Sequence, residues 1–406
     1  MSERHVLLAN VFFAPFTYGG ATIVAEELAK ALIARGDYRV TAVSLCTRAE
    51  LQTYTVMKSE RDGIVNYVIN VPAHRSYREM YNNPQVTSLL GELMDTLRPD
   101  LVHAHCLQDM GTGVLEAARA RDIATVLSVH DFWWLCERQF MIRPDKSYCG
   151  QSPVRIDACR GCVGDMGTTR PRFDHLRIMG SLADCVTYPS QFTLDLHAQS
   201  GFAPGRGVVL ENGVGHPGPD FAAVQAARRK QDSTLTFGFV GGPSQIKGWP
   251  LIRSAFKGLK RDDFRVLLVD GSPDGSWWTK AHLDGLNGDW RILPRFEQSE
   301  MDGFYAQIDV LLFMSQWKET FGLAIREALA RGIKVIQTDS GGTTEHAGLV
   351  QDELLPIGAP AHTLRDRLAK TLDAHPNHPA PVPVAGYADQ AEAFHRIVED
   401  IFDTRT

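Results

Sequence analysis

Short apolar runs alternate with amphipathic stretches along the whole chain, and no segment repeats another. Residues 5–13 read as a buried strand, 15–20 as a loop, and 21–35 as a helix with Val24, Leu28, Ala31 and Leu32 on one face. Glu26 and Glu27 sit in its early turns, where the helix dipole favours anions, and Gly36 follows as a stop signal. Strand, glycine loop and helix in that order make a unit of parallel sheet. The alternation continues with strands at 39–45, 101–104, 125–130, 185–188 and 208–211, and helices at 87–96 and 114–121. The first half therefore reads as a doubly wound α/β domain.

At Asn212-Gly213 the chain turns, and Pro217, Gly218 and Pro219 open a polar, strandless stretch to about residue 233 that suits an interdomain linker. A second set of strands follows at 235–240, 264–269, 290–293, 310–314 and 334–338. Pro379, Pro381 and Pro383 then forbid helix and suit an extended crossing segment. A last helix at 387–402 carries Ala391, Phe394, Ile397 and Ile401 on one face. The expected domains are 1–214 with a Cys-rich insertion near 132–170, 215–385, and a helix at 386–406 packing back on the first domain. Two facing doubly wound sheets should bind ligands in the interdomain cleft, at the carboxyl ends of the strands.

Composition adds limits. With 406 residues, 44% hydrophobic and 22% charged, the chain can bury a large core without disulfide staples. A net charge of -6 spread over both halves names no nucleic-acid partner. No run reaches the length of a transmembrane helix; Arg4 and His5 before the first run also fit a leader, but Asn10 and Pro15 interrupt that run as a strand and loop would. All 7 cysteines lie between Cys46 and Cys185, an odd and lopsided set that points to a reducing compartment.

Four loops carry candidate chemistry. Gly19-Gly20 leads into a helix, where glycines let backbone amides approach a phosphate; a plain turn is the structural alternative. His130-Asp131 ends a strand before Phe132, Trp133 and Trp134, and could meet a sugar or simply be a satisfied core histidine with a capping acid. Gly241-Gly242 with Lys247-Gly248 offers backbone donors and one cation without the P-loop spacing. Glu319 stands just before a helix expected from Phe321 onward, and Glu327 lies two turns inside it. The amides of Phe321, Gly322 and Leu323 would face anions or hydroxyls.

Glu319 and Glu327 in their Phe-Gly-Leu context, Lys247-Gly248, and the Gly-Gly-x-x-Glu of Gly341, Gly342 and Glu345 resemble the nucleotide-sugar site of retaining GT-B glycosyltransferases, family 4. Gly19-Gly20, the segment 100–105 ending in His103-Ala104-His105, His130-Asp131, Pro189-Ser190 and Asn212-Gly213 fall in the same order as similar elements of that family. The resemblance implies a donor site of Gly19, Gly20, Gly241, Gly242, Lys247, Glu319, Phe321, Gly322, Leu323 and Glu327. In it Glu327 would bind the ribose, Glu319 the transferred sugar and Lys247 the leaving pyrophosphate, with Gly20 closing over the phosphates. His130 would contact the sugar near its anomeric centre, and His105 and Asp131 would face the acceptor. No Asp-x-Asp triplet is present, so catalysis without a bound metal or other cofactor is expected. The family commonly has Arg where this chain has Gly242, so one phosphate cation is missing.

The implied function is transfer of a hexose-type unit from a nucleotide diphosphate sugar to a hydroxyl of a glycan, glycolipid or glycoside, in bacterial surface polysaccharide synthesis. Alternatives are a same-fold pseudo-glycosyltransferase and a non-catalytic nucleotide-sugar-binding protein. Cys136, Cys149, Cys159 and Cys162 suit a structural zinc clip, a labile disulfide or no shared role. Arg170, Arg172, His175 and Arg177, interleaved with Phe173, Leu176, Ile178 and Met179, could rest on an anionic membrane from the cytoplasmic side or form a solvated face.

Overall fold

The computed structural model describes residues 3–17, 19–272, 274–375 and 378–405. Tyr18, inside the expected 15–20 loop, lies outside the described residues. The chain forms two compact units: Met1–Met141 with Gly150–Gly213 and Ala385–Thr406, and Ile142–Cys149 with Val214–Val384.

The first unit runs β1 (Arg4–Ala9), α1 (Gly20–Arg35), β2 (Tyr38–Cys46), β3 (Val56–Arg61), β4 (Ile64–Asn70), α2 (Pro84–Leu97), β5 (Leu101–Ala104), α3 (Gly113–Arg119), β6 (Ala124–Ser128), α4 (Met166–Gly180), β7 (Cys185–Tyr188), α5 (Gln191–Gln199) and β8 (Gly207–Val209). Its sheet order is β3-β4-β2-β1-β5-β6-β7-β8, parallel except for β3. Val6, Leu7, Leu8 and Ala9 are all buried, as in a parallel strand covered on both faces. Strand order reverses about β1, so the loops after β1 and β5 flank the switch point where α/β sheets bind ligands.

The second unit runs α6 (Phe221–Gln231), β9 (Leu235–Phe239), α7 (Trp249–Gly258), β10 (Phe264–Val269), α8 (Lys280–Leu283), β11 (Asp289–Leu293), α9 (Met301–Tyr305), β12 (Val310–Phe313), α10 (Leu323–Ala330), β13 (Lys334–Gln337) and α11 (Ala361–Asp373). Its sheet, β11-β10-β9-β12-β13, is parallel throughout. Here the order reverses about β9, which places the loops after β9 and β12 side by side. The last helix, α12 (Tyr387–Arg405), returns to the first unit and buries Ala391, Phe394, Val398 and Ile401 beside Ala25, Leu28 and Leu32 of α1.

Two elements lie outside the expected pattern. The polar stretch after Pro219 contains α6, held by buried Phe221 and by Arg228, whose guanidinium pairs with Asp309 at 2.8 Å. A single apolar anchor gave that helix no periodic signal. The β3-β4 hairpin has no buried apolar run in β3 to mark it, although Asp62-Gly63 at its turn takes the positive φ angles that favour such a pair.

Candidate active site

The loop after β9 is drawn onto the end of β12 at Gly248. This glycine has φ of 82°, and a Cβ there would lie 2.0 Å from the Met314 carbonyl oxygen, so a side chain has no room. The preceding residue, Lys247, extends its Nζ to 2.7 Å from Oε1 of Glu319 and 5.6 Å from the Trp317 ring centroid. The Ser315 hydroxyl donates to the same Glu319 oxygen. The Glu319 amide donates to the Ser340 carbonyl at 2.8 Å, and its carbonyl accepts from the Gly342 amide at 3.0 Å. Glu319 is thus clamped between the loops after β12 and β13, with its carboxylate against the lysine.

Gly322 caps α10, which begins at Leu323 rather than at Phe321. The first amides of an α-helix have no intrahelical acceptor, so this end can receive an anion or hydroxyls. Arg326, buried within the apolar helix, donates to the carbonyls of Phe321, Gly342, Thr343 and Glu345. One guanidinium therefore locks the Gly341-Gly342 turn onto the mouth of α10. Glu327 accepts a 2.8 Å hydrogen bond from the Tyr305 hydroxyl. Burial pushes its carboxyl above the usual range, opposed by Tyr305 and Arg331.

Gly242 is the seat of an indole. A Cβ at Gly242 would lie 2.9 Å from Cε3 of Trp277, and one at Gly271 would lie 2.8 Å from Cζ3 of the same ring. Glycines at the ends of β9 and β10 together leave the space that Trp277 fills. Any side chain at Gly242 would therefore require Trp277 to move. Gly241 packs equally closely, on Phe239 and Lys247.

In the first unit, Gly19 precedes α1 with φ of 79°, and Gly20 is the first helical residue. His105 and His130 meet: Nδ1 of His105 is 2.8 Å from Nε2 of His130. Burial pushes His130 down to about 4 and His105 well below the ordinary histidine range, so both rings are neutral. Asp131 takes the capping geometry, accepting from the Trp133 amide at 2.8 Å and from the Gln108 and Gln139 side chains. Phe132, Trp133 and Trp134 are buried and fill the core.

The cysteine insertion differs from expectation. Among the described residues no three His, Cys, Asp or Glu side chains are arranged to hold a metal, Cys136, Cys149, Cys159 and Cys162 included. Cys149 ends the Ile142–Cys149 segment that groups with the second unit. The insertion has anchors of its own: buried Leu135, Met141 and Val154, and buried Arg172, which donates to the Trp133 carbonyl at 2.7 Å. The basic residues of α4 are likewise engaged. Arg170 pairs with Asp157, Arg177 donates to the Gly201 carbonyl at 3.0 Å, and His175 meets the Thr112 hydroxyl at 2.9 Å. With Arg172 buried, α4 does not present the full basic face that a lipid surface would need. Among the described residues no helix is long and apolar enough to cross a membrane.

Residues 18–216 match the model described as Glycosyltransferase Family 4, and 234–373 match Glycosyl transferases group 1. A Klebsiella pneumoniae protein named "Uncharacterized 42.6 kDa protein in cps region" is 22% identical over 361 residues, covering 84% of this chain and 87% of that protein. Sucrose-phosphate synthase from Thermosynechococcus elongatus has a similar structure, with a TM-score of 0.67 at 16% identity, covering 99% of this chain and 100% of the other. Anabaena HepE in complex with UDP and glucose gives 0.61 at 16% identity, covering 99% and 100%. The UDP-forming trehalose-phosphate synthase from Burkholderia xenovorans, in complex with glucose-6-phosphate, gives 0.63 at 13% identity, covering 98% and 100%.

Proposed function

Because the chain belongs to the GT-B glycosyltransferases, with a family 4 domain followed by a group 1 domain, we propose that it moves a hexose-type unit from a nucleoside diphosphate sugar to a hydroxyl with retention at the anomeric carbon. The observation that carries this reading is the cluster at the mouth of α10. Lys247, Glu319 and Glu327 gather around a helix end whose amides can receive a phosphate or hydroxyls. With no ligand, Lys247 neutralises Glu319. An arriving pyrophosphate takes over the ammonium, and the released carboxylate accepts hydrogen bonds from the sugar hydroxyls. Glu327 accepts from the ribose hydroxyls, and the Gly241-Gly242 backbone with the Phe321, Gly322 and Leu323 amides lines the donor. On the first unit, Gly19 and Gly20 serve the phosphates, His130 the sugar, and His105 and Asp131 the acceptor side.

In the reaction the bond from C1 to the phosphate oxygen breaks, and its electron pair stays on the pyrophosphate. Negative charge grows there in the transition state, and a fixed cation beside it lowers the barrier. The acceptor oxygen bonds to C1 on the face the phosphate leaves, and its proton passes to a phosphate oxygen. No protein nucleophile is needed. The neighbours solved with UDP and with a sugar phosphate support a nucleotide-sugar donor and a sugar-like acceptor. The relative named for a cps region supports a role in surface polysaccharide synthesis.

A thermal-shift screen against UDP, GDP, ADP and TDP and their sugars identifies the donor; nucleotide release with a glycoside acceptor and NMR of the product's anomeric proton then test transfer and retention. Tight donor binding without acceptor-dependent nucleotide release would replace this reading with a binding protein.

A further inference from the structure

His103 of β5 and His105 just after the strand stand two residues apart with their rings adjacent. Their rings belong to a continuous hydrogen-bonded row through the sheet. Nε2 of His130 is 2.8 Å from Nδ1 of His105; Nε2 of His105 is 3.3 Å from Nδ1 of His103; Nε2 of His103 is 2.7 Å from the Ser128 hydroxyl. The Ser128 hydroxyl is 2.7 Å from that of Thr187. The row crosses β5, β6 and β7, whose register sets Ser128 opposite Thr187. His103, His105, Ser128 and Thr187 are all buried, and His103 stacks on Phe394 of α12 with ring centroids 4.4 Å apart.

A neutral imidazole has one donor and one acceptor nitrogen. Three such rings joined nitrogen to nitrogen can therefore be oriented in only two ways, all donating toward His130 or all away from it. The far end decides between them. If the row points away from His130, His103 donates to Ser128, Ser128 donates to Thr187, and the Thr187 proton is left without an acceptor among the described residues. A buried donor left unpaired costs about 1–3 kcal/mol. If the row points toward His130, Thr187 donates to Ser128, Ser128 to His103, His103 to His105 and His105 to Nε2 of His130, and every proton of the row as far as that nitrogen is used.

We infer that Thr187, Ser128, His103 and His105 are positioning residues that hold His130 in the tautomer protonated on Nδ1, so that it acts in the reaction as a hydrogen-bond donor and not as a base. This rests on the reading that His130 contacts the transferred sugar. A donor there suits a sugar hydroxyl or a phosphate oxygen gaining charge, and leaves the acceptor proton to the pyrophosphate. Burial supports the neutrality that the row needs, pushing His103 to about 3 and His130 to about 4.

The test is long-range nitrogen-proton NMR on the full chain with labelled histidine, which distinguishes the protonated from the bare ring nitrogen. His130 in the wild type is expected to be protonated on Nδ1 alone. His103→Phe keeps a ring against Phe394 but breaks the row, and should let His130 populate both tautomers. In turnover assays the same variant should lose at least about tenfold in kcat with the donor KM nearly unchanged, because orientation and not binding is lost. Ser128→Ala should act in the same direction and Ser128→Thr should restore the wild-type signal. Wild-type His130 protonated on Nε2, or a His130 tautomer indifferent to both His103→Phe and Ser128→Ala, would overturn the inference. If the tautomer responds while kcat does not, the row stands and the assignment of His130 to the transferred sugar falls.

Discussion

Arginine introduced at Gly242 should not improve this enzyme unless Trp277 is removed with it. Resemblance alone would make Gly242→Arg a repair, restoring the phosphate cation that family members commonly carry. The geometry makes it a collision, since even the first side-chain carbon would lie 2.9 Å from the indole. Trp277 is 39% exposed, so about three-fifths of its surface is covered. A tryptophan buries roughly 150–250 Å² when enclosed, so Trp277 hides about 90–150 Å², worth roughly 2–4 kcal/mol at about 25 cal/mol per Å². Gly242→Arg forfeits most of that by expelling the ring, and Trp277→Ala forfeits the same amount. The double variant loses it only once, giving a coupling energy of about 2 kcal/mol or more between neighbouring sites. Urea unfolding of the four proteins measures the coupling, and calorimetry with the nucleoside diphosphate measures what the new cation adds. The double variant should bind nucleotide more tightly than Trp277→Ala. If the two stability changes add to within about 0.5 kcal/mol, or if Gly242→Arg alone is as stable as wild type and turns over faster, the indole is not seated on this glycine.

Three further outcomes follow from the same geometry. Lys247→Ala should lower kcat by about 10²–10³ (about 2.7–4 kcal/mol), as for other fixed stabilisers of transition-state charge. It should cost only about 1 kcal/mol or less in stability, because the ammonium is partly exposed; unchanged turnover would remove Lys247 from the site. For Glu327, burial raises the folded-state pKa, so its stabilising contribution is present below the ordinary carboxylate range and is lost as pH rises through the folded value. Glu327→Gln should therefore raise Tm at neutral pH, change it little near about pH 4, and weaken donor binding; a pH-independent Tm difference would contradict this. Prolonged chelation should leave Tm unchanged, whereas a drop reversed by zinc would mean that the insertion cysteines bind metal after all.

The parallel-sheet alternation was legible because strand segments such as Val6–Ala9 and Val310–Phe313 are covered on both faces and read as unbroken apolar runs. Val56–Arg61 did not stand out because it is an antiparallel edge strand whose Lys58, Glu60 and Arg61 face solvent. At the site, Lys247, Glu319 and Glu327 could be read from sequence because each lies in a local loop-to-helix pattern. Arg326 is marked in the sequence only as a charge inside an apolar helix. Tyr305 and Ser315 reach the two glutamates only through packing, so nothing in their local sequence marks them.

Trp277 and Gly242 show why a motif can mislead where a fold does not. In one dimension Gly242 is a departure from a pattern and suggests a lost function. In three dimensions β9 lies beside β10, so the glycines that end the two strands form two walls of one socket. At Gly271 the same indole leaves no room for a side chain. A weakened donor site would need only the loss of the cation. Here Gly242, Gly271 and Trp277 also pack as one unit, so a change at any of them bears on the other two.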